Sequence, residues 1–200
     1  MNELISKIEQ WAEDRNIIKG SKPIDQAMKL FSEFGELADN VGKGRDCRDD
    51  IGDVFVVLTI ISKQNNTSLI NVDFDYESYA FGDIKSMILG FAGELALFVE
   101  NSVGYDSPNT IDDIICRLKR MCNKLGYTLE ECVQIAYNDI KDRKGLMHNG
   151  VFIKESDPAY ATVVAAIESN CTIDEDALDN IEADKRMATQ KRISVNLEDL

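Results

Sequence analysis

LFSEFGELAD (residues 30–39) and DDIGDVFVVLT (residues 49–59) together decide how this chain folds. In the first stretch Leu30, Phe31, Phe34, Leu37 and Ala38 recur at spacings of three and four, the period of an amphipathic helix. The second is apolar almost throughout after Asp53, which suits the centre of a helical bundle better than its surface. Gly42 and Gly44 stop the first helix, and the short turn makes the two helices antiparallel neighbours. Glu33 and Glu36 are three apart on one helix, Asp50 and Asp53 three apart on the next, so each pair shares a face. If both faces converge, four carboxylates surround one cavity. Like charges gathered in a bundle are costly unless a cation compensates, and an all-oxygen cluster suits Mg²⁺ or Mn²⁺. The bland alternative is four solvated carboxylates on an acidic surface. Position argues against it: Glu36 lies between Phe34 and Leu37, and Asp53 opens into VFVVLTII, so these two are expected on the core side.

Outward from this pair the chain reads as helical. Residues 2–16 place Leu4, Ile5, Ile8, Trp11 and Ala12 on one stripe, and Gly20 with Pro23 ends that segment. Further helices are predicted over 24–41, 47–64, 84–101, 111–125 and 129–144, the last opened by the capping box Thr128 and Glu131. GVFIK, residues 150–154, predicts one short extended piece. Residues 151–200 then carry 11 acidic and 5 basic side chains, with weak helical patterns over 159–168 and 174–187. An internal echo runs through the middle: LFSEFGELA (30–38) lies on ILGFAGELA (88–96), and Asp49-Asp50-Ile51 on Asp112-Asp113-Ile114. The organisation expected is a helical domain over 1–156, with 74–125 a degenerate repeat or an insertion, and an acidic appendage over 157–200.

Composition excludes much else. With 22 basic against 36 acidic residues the net charge is −14, which repels a nucleic-acid backbone or an anionic membrane. The longest apolar run, Val54 to Ile61, is too short to span a bilayer. MNELISKIEQ carries polar and acidic residues early, so neither an anchor nor a secretory signal is expected. The five cysteines are odd in number and form no CxxC pair, which points to a reducing cytoplasm and away from a thiolate zinc site. His148 is the only histidine, so paired ExxH di-iron motifs cannot form in one chain. In GLMHNG it reads as a solvated loop residue.

SE33xxE36 followed by D50xxD53 resembles the hallmark of the MazG family of all-α nucleoside triphosphate pyrophosphohydrolases, EExxE, a loop, then ExxD. The flanking segments IEQWAEDRNI, QAMKLFSEFGELAD, DDIGDVFVVLT and LEECVQIAYNDIKDRKGLMHNGVFIKES resemble MazG-type proteins of bacteria and their phages, covering about residues 4–64 and 128–156. Ser32 stands where the family often has Glu, and Asp50 where it usually has Glu, with one methylene less reach. The resemblance implies a four-helix-bundle type fold, cytoplasmic location, and homodimers or homotetramers. It also implies Mg²⁺-dependent cleavage of a (deoxy)nucleoside triphosphate between the α and β phosphorus atoms. Glu33, Glu36, Asp50 and Asp53 would then hold Mg²⁺, or Mn²⁺, and carry the catalysis. Within the superfamily a dUTP diphosphatase is the alternative; outside enzymes, a catalytically idle acidic interaction module.

The substrate's phosphates need cations, and Asn138, Lys141, Arg143 and Lys144 at the end of the 129–144 helix offer them. Cations there also balance the helix dipole without any ligand. Trp11 suits stacking on a base or a place in the core; Lys29 recurs in the family text, as does Arg15. Lys43, Arg45 and Arg48, in the turn between the acidic helices, read chiefly as residues that cap and solvate that turn. In the echo, Phe91 replaces Glu33 and Cys116 replaces Asp53, leaving Glu94 and Asp113 opposite Glu36 and Asp50. A packing role, not a second metal site, is expected of that half.

Overall fold

Leu4, Ile5, Ile8, Trp11 and Ala12 fall on one face of the first helix, α1 (Asn2–Asp14), and that face is buried. The structure, a computed structural model, describes residues 1–70, 82–102 and 111–169 of the chain. After α1, Asn16 turns with a left-handed φ of 55° into a single helical turn, α2 (Ile17–Gly20), which periodicity did not predict. α3 (Pro23–Lys43) starts with Pro23 in its first turn, where a missing N–H leaves nothing unpaired. The Asp25 carboxylate accepts the Lys22 backbone N–H at 2.7 Å. Gly44, at φ 66°, closes the helix.

α4 (Arg48–Gln64) is the central helix. Every residue from Val54 to Ser62 is buried, because α1, α3 and α7 (Leu129–Ile140) all pack against it. Against α7 the approach is so close that a Cβ on Gly52 would lie 2.2 Å from the Cys132 carbonyl oxygen and 2.7 Å from Ala136 Cβ. Glycine is what permits that contact. Burying side chains such as Phe55, Leu58 and Ile61 contributes about 1.5–3 kcal/mol each before entropy is counted. A second helical pair, α5 (Ile84–Ser102) and α6 (Ile111–Leu125), packs on α3: Phe91 is fully buried and meets Phe34 edge to face, ring centroids 5.9 Å apart at 67°.

α7 begins at the predicted capping box, with Glu131 N donating to Thr128 Oγ1 at 3.2 Å and Thr128 N to Glu131 Oε2 at 3.2 Å. It ends at Ile140, four residues before the predicted 144. The cause is tertiary: the Arg15 guanidinium takes the carbonyls of Lys141 at 2.8 Å and Arg143 at 2.7 Å, so those groups are satisfied without a continuing helix. Where one extended piece was predicted, two strands pair, β1 (Gly145–His148) and β2 (Val151–Lys154). Asn149 and Gly150 make their turn with φ of 47° and 79°. His148 is therefore a half-buried strand residue, not a solvated loop histidine.

The chain forms two compact units, Met1–Phe152 and Ile153–Leu200. The described part of the second holds one helix, α8 (Tyr160–Ser169); the predicted 174–187 pattern lies outside the described residues. The protein is thus mostly helical with one two-stranded sheet among the described residues, and no helix there is long and apolar enough to cross a membrane.

Candidate active site

A cavity of about 500 Å³ opens in the first unit, walled by α1, α3, α4, the end of α7 and the hairpin. That volume suits a small-molecule ligand. Glu33, Glu36 and Asp53 line it, with Lys29, Trp11 and Arg143. Asp50 is not among the lining residues; Asn40 Nδ2 donates to its Oδ2 at 2.8 Å. Sequence spacing thus brought three of the four carboxylates into one cavity, with the fourth close enough that Glu33 raises its proton affinity.

Burial is distributed differently from the expectation. Glu33, not Glu36, is the sequestered acid of α3: it is 5% exposed, while Glu36 is exposed at the cavity rim. The buried stripe of α3 runs through Ala27, Leu30, Leu37 and Val41, and Glu33 falls on it, three residues after Leu30 and four before Leu37. Glu36 sits one turn on but off the stripe, and being flanked by Phe34 and Leu37 in sequence does not place a helical residue between them in space. Asp53 is half-buried as expected.

The electrostatics follow. Removal from water is the main force pushing the Asp53 carboxyl up to about 7, reinforced by Glu33 and Asp49 and opposed by Arg143 and Lys29. The same desolvation raises Asp50 and Asp49. One cation already answers this field: the Lys29 ammonium pairs with the Glu33 carboxylate one turn away. No three Asp, Glu, Cys or His side chains among the described residues stand as a ready-made metal cage. The donor set nevertheless fits a hard divalent ion, since carboxylates from two helices are held in a partly desolvated site with a shortage of positive charge.

Trp11 takes the core place weighed for it and also reaches the cavity. It is buried on the α1 stripe, its indole Nε1 donates to Ile140 O at 2.9 Å, and it lines the cavity. Arg15 stacks 5.1 Å from its ring centroid while gripping the Lys141 and Arg143 carbonyls, so it fixes the chain that presents Arg143. The remaining predicted phosphate ligands are elsewhere: Asn138, Lys141 and Lys144 do not line the cavity, and Lys141 Nζ donates instead to Asn138 Oδ1 at 3.2 Å on the exposed face of α7. The turn cations serve the turn, Lys43 pairing with Asp39 at 2.5 Å and Arg48 with Asp46 at 2.5 Å and Glu131 at 3.5 Å.

Two lining residues with polar side chains escaped the sequence reading, Asp25 and Gln26. Gln26 carries a usable signal, because it lies seven residues, two helical turns, before Glu33 and so shares its face.

In the echo, Glu94 does not stand free beside Asp113. It forms a two-pronged ion pair with Arg117.

Comparison with known proteins adds one relative. A 68-residue stretch, 33% of this chain and 42% of the relative, is 50% identical to an uncharacterized 18.2 kDa protein encoded in the rep-hol intergenic region of Haemophilus phage HP1 (strain HP1c1). The match thus spans less than half of that protein's length. No family model and no solved structure matches the chain.

Proposed function

We propose that this protein is a MazG-type nucleoside triphosphate pyrophosphohydrolase that releases pyrophosphate and leaves a nucleoside monophosphate. The observation that carries the reading is the single cavity in which Glu33, Glu36 and Asp53, from two adjacent helices, meet Lys29, Arg143 and an aromatic wall. Glu33, Glu36 and Asp53 would hold Mg²⁺, and Asp50, outside the cavity lining, would reach it through water. The chemistry such an ion supplies when bound is neutralisation of the charge between a triphosphate and carboxylates that would otherwise repel it. Arg143 offers phosphate oxygens a guanidinium from the opposite wall, and Arg15 keeps the backbone that carries it in place. One of the carboxylates would orient the attacking water. Trp11 presents an apolar surface to the base.

The test is pyrophosphate release from a panel of ribo- and deoxynucleoside triphosphates with Mg²⁺ or Mn²⁺. Monophosphate and pyrophosphate are expected, with ¹⁸O from solvent entering the monophosphate. Diphosphate with orthophosphate, or no turnover of any nucleotide, overturns the reading. The idle-module alternative draws on the Lys29–Glu33 pair, which satisfies the buried acid without a metal; Mg²⁺-dependent thermal stabilisation, lost in Asp53→Asn, speaks against it.

A further inference from the structure

Two helical turns from the carboxylates the cavity changes character. Gln26 lies seven residues before Glu33 on α3, and Ile60 seven residues after Asp53 on α4. In an antiparallel pair both displacements run the same way, about 10 Å along the bundle. That is the reach from the α phosphorus of a nucleotide to the edge of its base. Val57 and Ile60 supply apolar wall there, and Gln26, only 4% exposed, supplies polarity.

The Gln26 amide is held in one orientation. Its Nε2 donates to Ser21 Oγ at 2.9 Å, Gln64 Nε2 donates to the same oxygen at 3.1 Å, and Ser21 Oγ gives its proton to Ile17 O at 2.7 Å. A hydroxyl has one proton and two lone pairs, so Ser21 is saturated. Flipping the amide would set its carbonyl against an oxygen with no proton left to offer. Gln64 is itself anchored through Nε2 to Ser21 O at 2.9 Å. What Gln26 presents to the cavity is therefore its acceptor, Oε1; Asp25, whose carboxylate takes the Lys22 backbone N–H at 2.7 Å, lines the same cavity.

We propose that Gln26, its amide locked by Ser21 and Gln64, reads the exocyclic amine of the base and makes this cavity select amino-bearing nucleotides over those of uracil or thymine. The inference rests on the cavity being a nucleotide site. An oriented acceptor suits an –NH₂, which has protons to give. Uracil and thymine carry a carbonyl oxygen where cytosine carries its amine, and that oxygen would face the Gln26 acceptor unpaired, the kind of mismatch that polar sites reject strongly.

The experiment compares dCTP with dUTP, near-identical in shape, by kcat/KM. It is paired with metal-free titration of dCMP and dUMP followed by the fluorescence of Trp11, the sole tryptophan. The wild type should favour the cytosine member in both measurements by about tenfold or more. Gln26→Leu, which removes the acceptor, should bring the ratio to within about twofold. Ser21→Ala frees the amide to turn, so it should erode the ratio although Ser21 touches no ligand. A wild type that treats the pairs alike or prefers uracil overturns the inference, as does a ratio unmoved by both Gln26→Leu and Ser21→Ala. Hydrolysis without base discrimination would sink this inference alone; dCMP binding over dUMP without any hydrolysis would sink the proposed reaction alone.

Discussion

The α3–α4 pair and the α5–α6 pair carry the same Gly-Glu-Leu-Ala segment and the same Asp-Asp-Ile, yet use them oppositely. In α3 the buried stripe includes a carboxylate, Glu33; at the matching place in α5 stands Phe91, fully buried and packed on Phe34. Asp53 of α4 faces the cavity, whereas Cys116 holds that place in α6. Gly52 lets α4 lie against the α7 backbone, and its counterpart Ile115 is a fully buried core side chain. Glu94, matching Glu36, is neutralised by Arg117. One pair keeps three carboxylates on an open cavity, with Lys29 and Arg143 beside them; the other has exchanged that arrangement for hydrophobic contact and an ion pair between its own two helices. Apolar spacing makes a hairpin, and three or four substitutions on it decide between a site and a scaffold.

The contrast is sharpest in turnover. Removing the charge from Glu33 or Asp53, as Glu33→Gln or Asp53→Asn, should cut pyrophosphate release about a thousandfold or more, because the charge that must be balanced in the reaction is then missing its partner. Circular dichroism should show the helical fold intact; near-normal rates in both variants would refute the division between the two pairs. Gly52→Ala should destabilise the protein by about 3 kcal/mol, since a Cβ overlaps a backbone carbonyl that cannot move independently of α7. Gly93→Ala in α5 meets nothing within 4 Å and should instead stabilise by up to about 1 kcal/mol through helix propensity. Denaturant melts of the two variants decide, and equal effects would contradict the packing described.

The protonation of Asp53 gives a smaller, signed effect. Its folded-state pKa, about 7, lies above the ordinary carboxylate value, so the folded protein binds the proton more tightly than the unfolded chain does. That stabilisation is complete below about pH 4 and is lost as pH rises through 7. The metal-free melting temperature should therefore carry a falling component over that window which Asp53→Asn removes, and Mg²⁺ should restore stability at pH 8. Identical pH profiles for the two proteins would remove the buried-charge account. Least of all should change with Glu94→Gln: turnover close to wild type, and a stability loss of about 1 kcal/mol from the half-buried Arg117 left with a weaker partner. A turnover loss like that of Glu33→Gln would place Glu94 in the working site.

Local signals were the legible ones. The capping box at Thr128 and Glu131 could be read because its two partners are three residues apart, and the acidic pairs because one helical turn sets their spacing. Glu36 was misplaced because sequence neighbours on a helix point about 100° apart, so Phe34 and Leu37 say little about where it faces. The end of α7 could not be read, since Arg15, which satisfies the carbonyls past Ile140, lies 126 and 128 residues away. Asn138, Lys141, Arg143 and Lys144 could not be told apart while they were read as one helix end; Arg143 falls after that helix ends, and the chain turns it into the cavity. The two-turn spacing could have placed Gln26 on the face of Glu33, but the orientation of its amide depends on Ser21 and Gln64 and was not legible.

The latch between the two ends of the first unit has a consequence for how the molecule is made. Arg15 and Trp11 bond to backbone at 140–143, and the Asn16 amide bonds to Met147 O across 131 residues. A growing chain can assemble the α3–α4 hairpin early, since its partners are local, but the far wall of the cavity does not exist until Phe152 has been synthesised and has cleared the ribosome. Closing so long a loop is slow compared with winding a helix. The acidic hairpin is therefore synthesised well before the wall that turns it into a cavity.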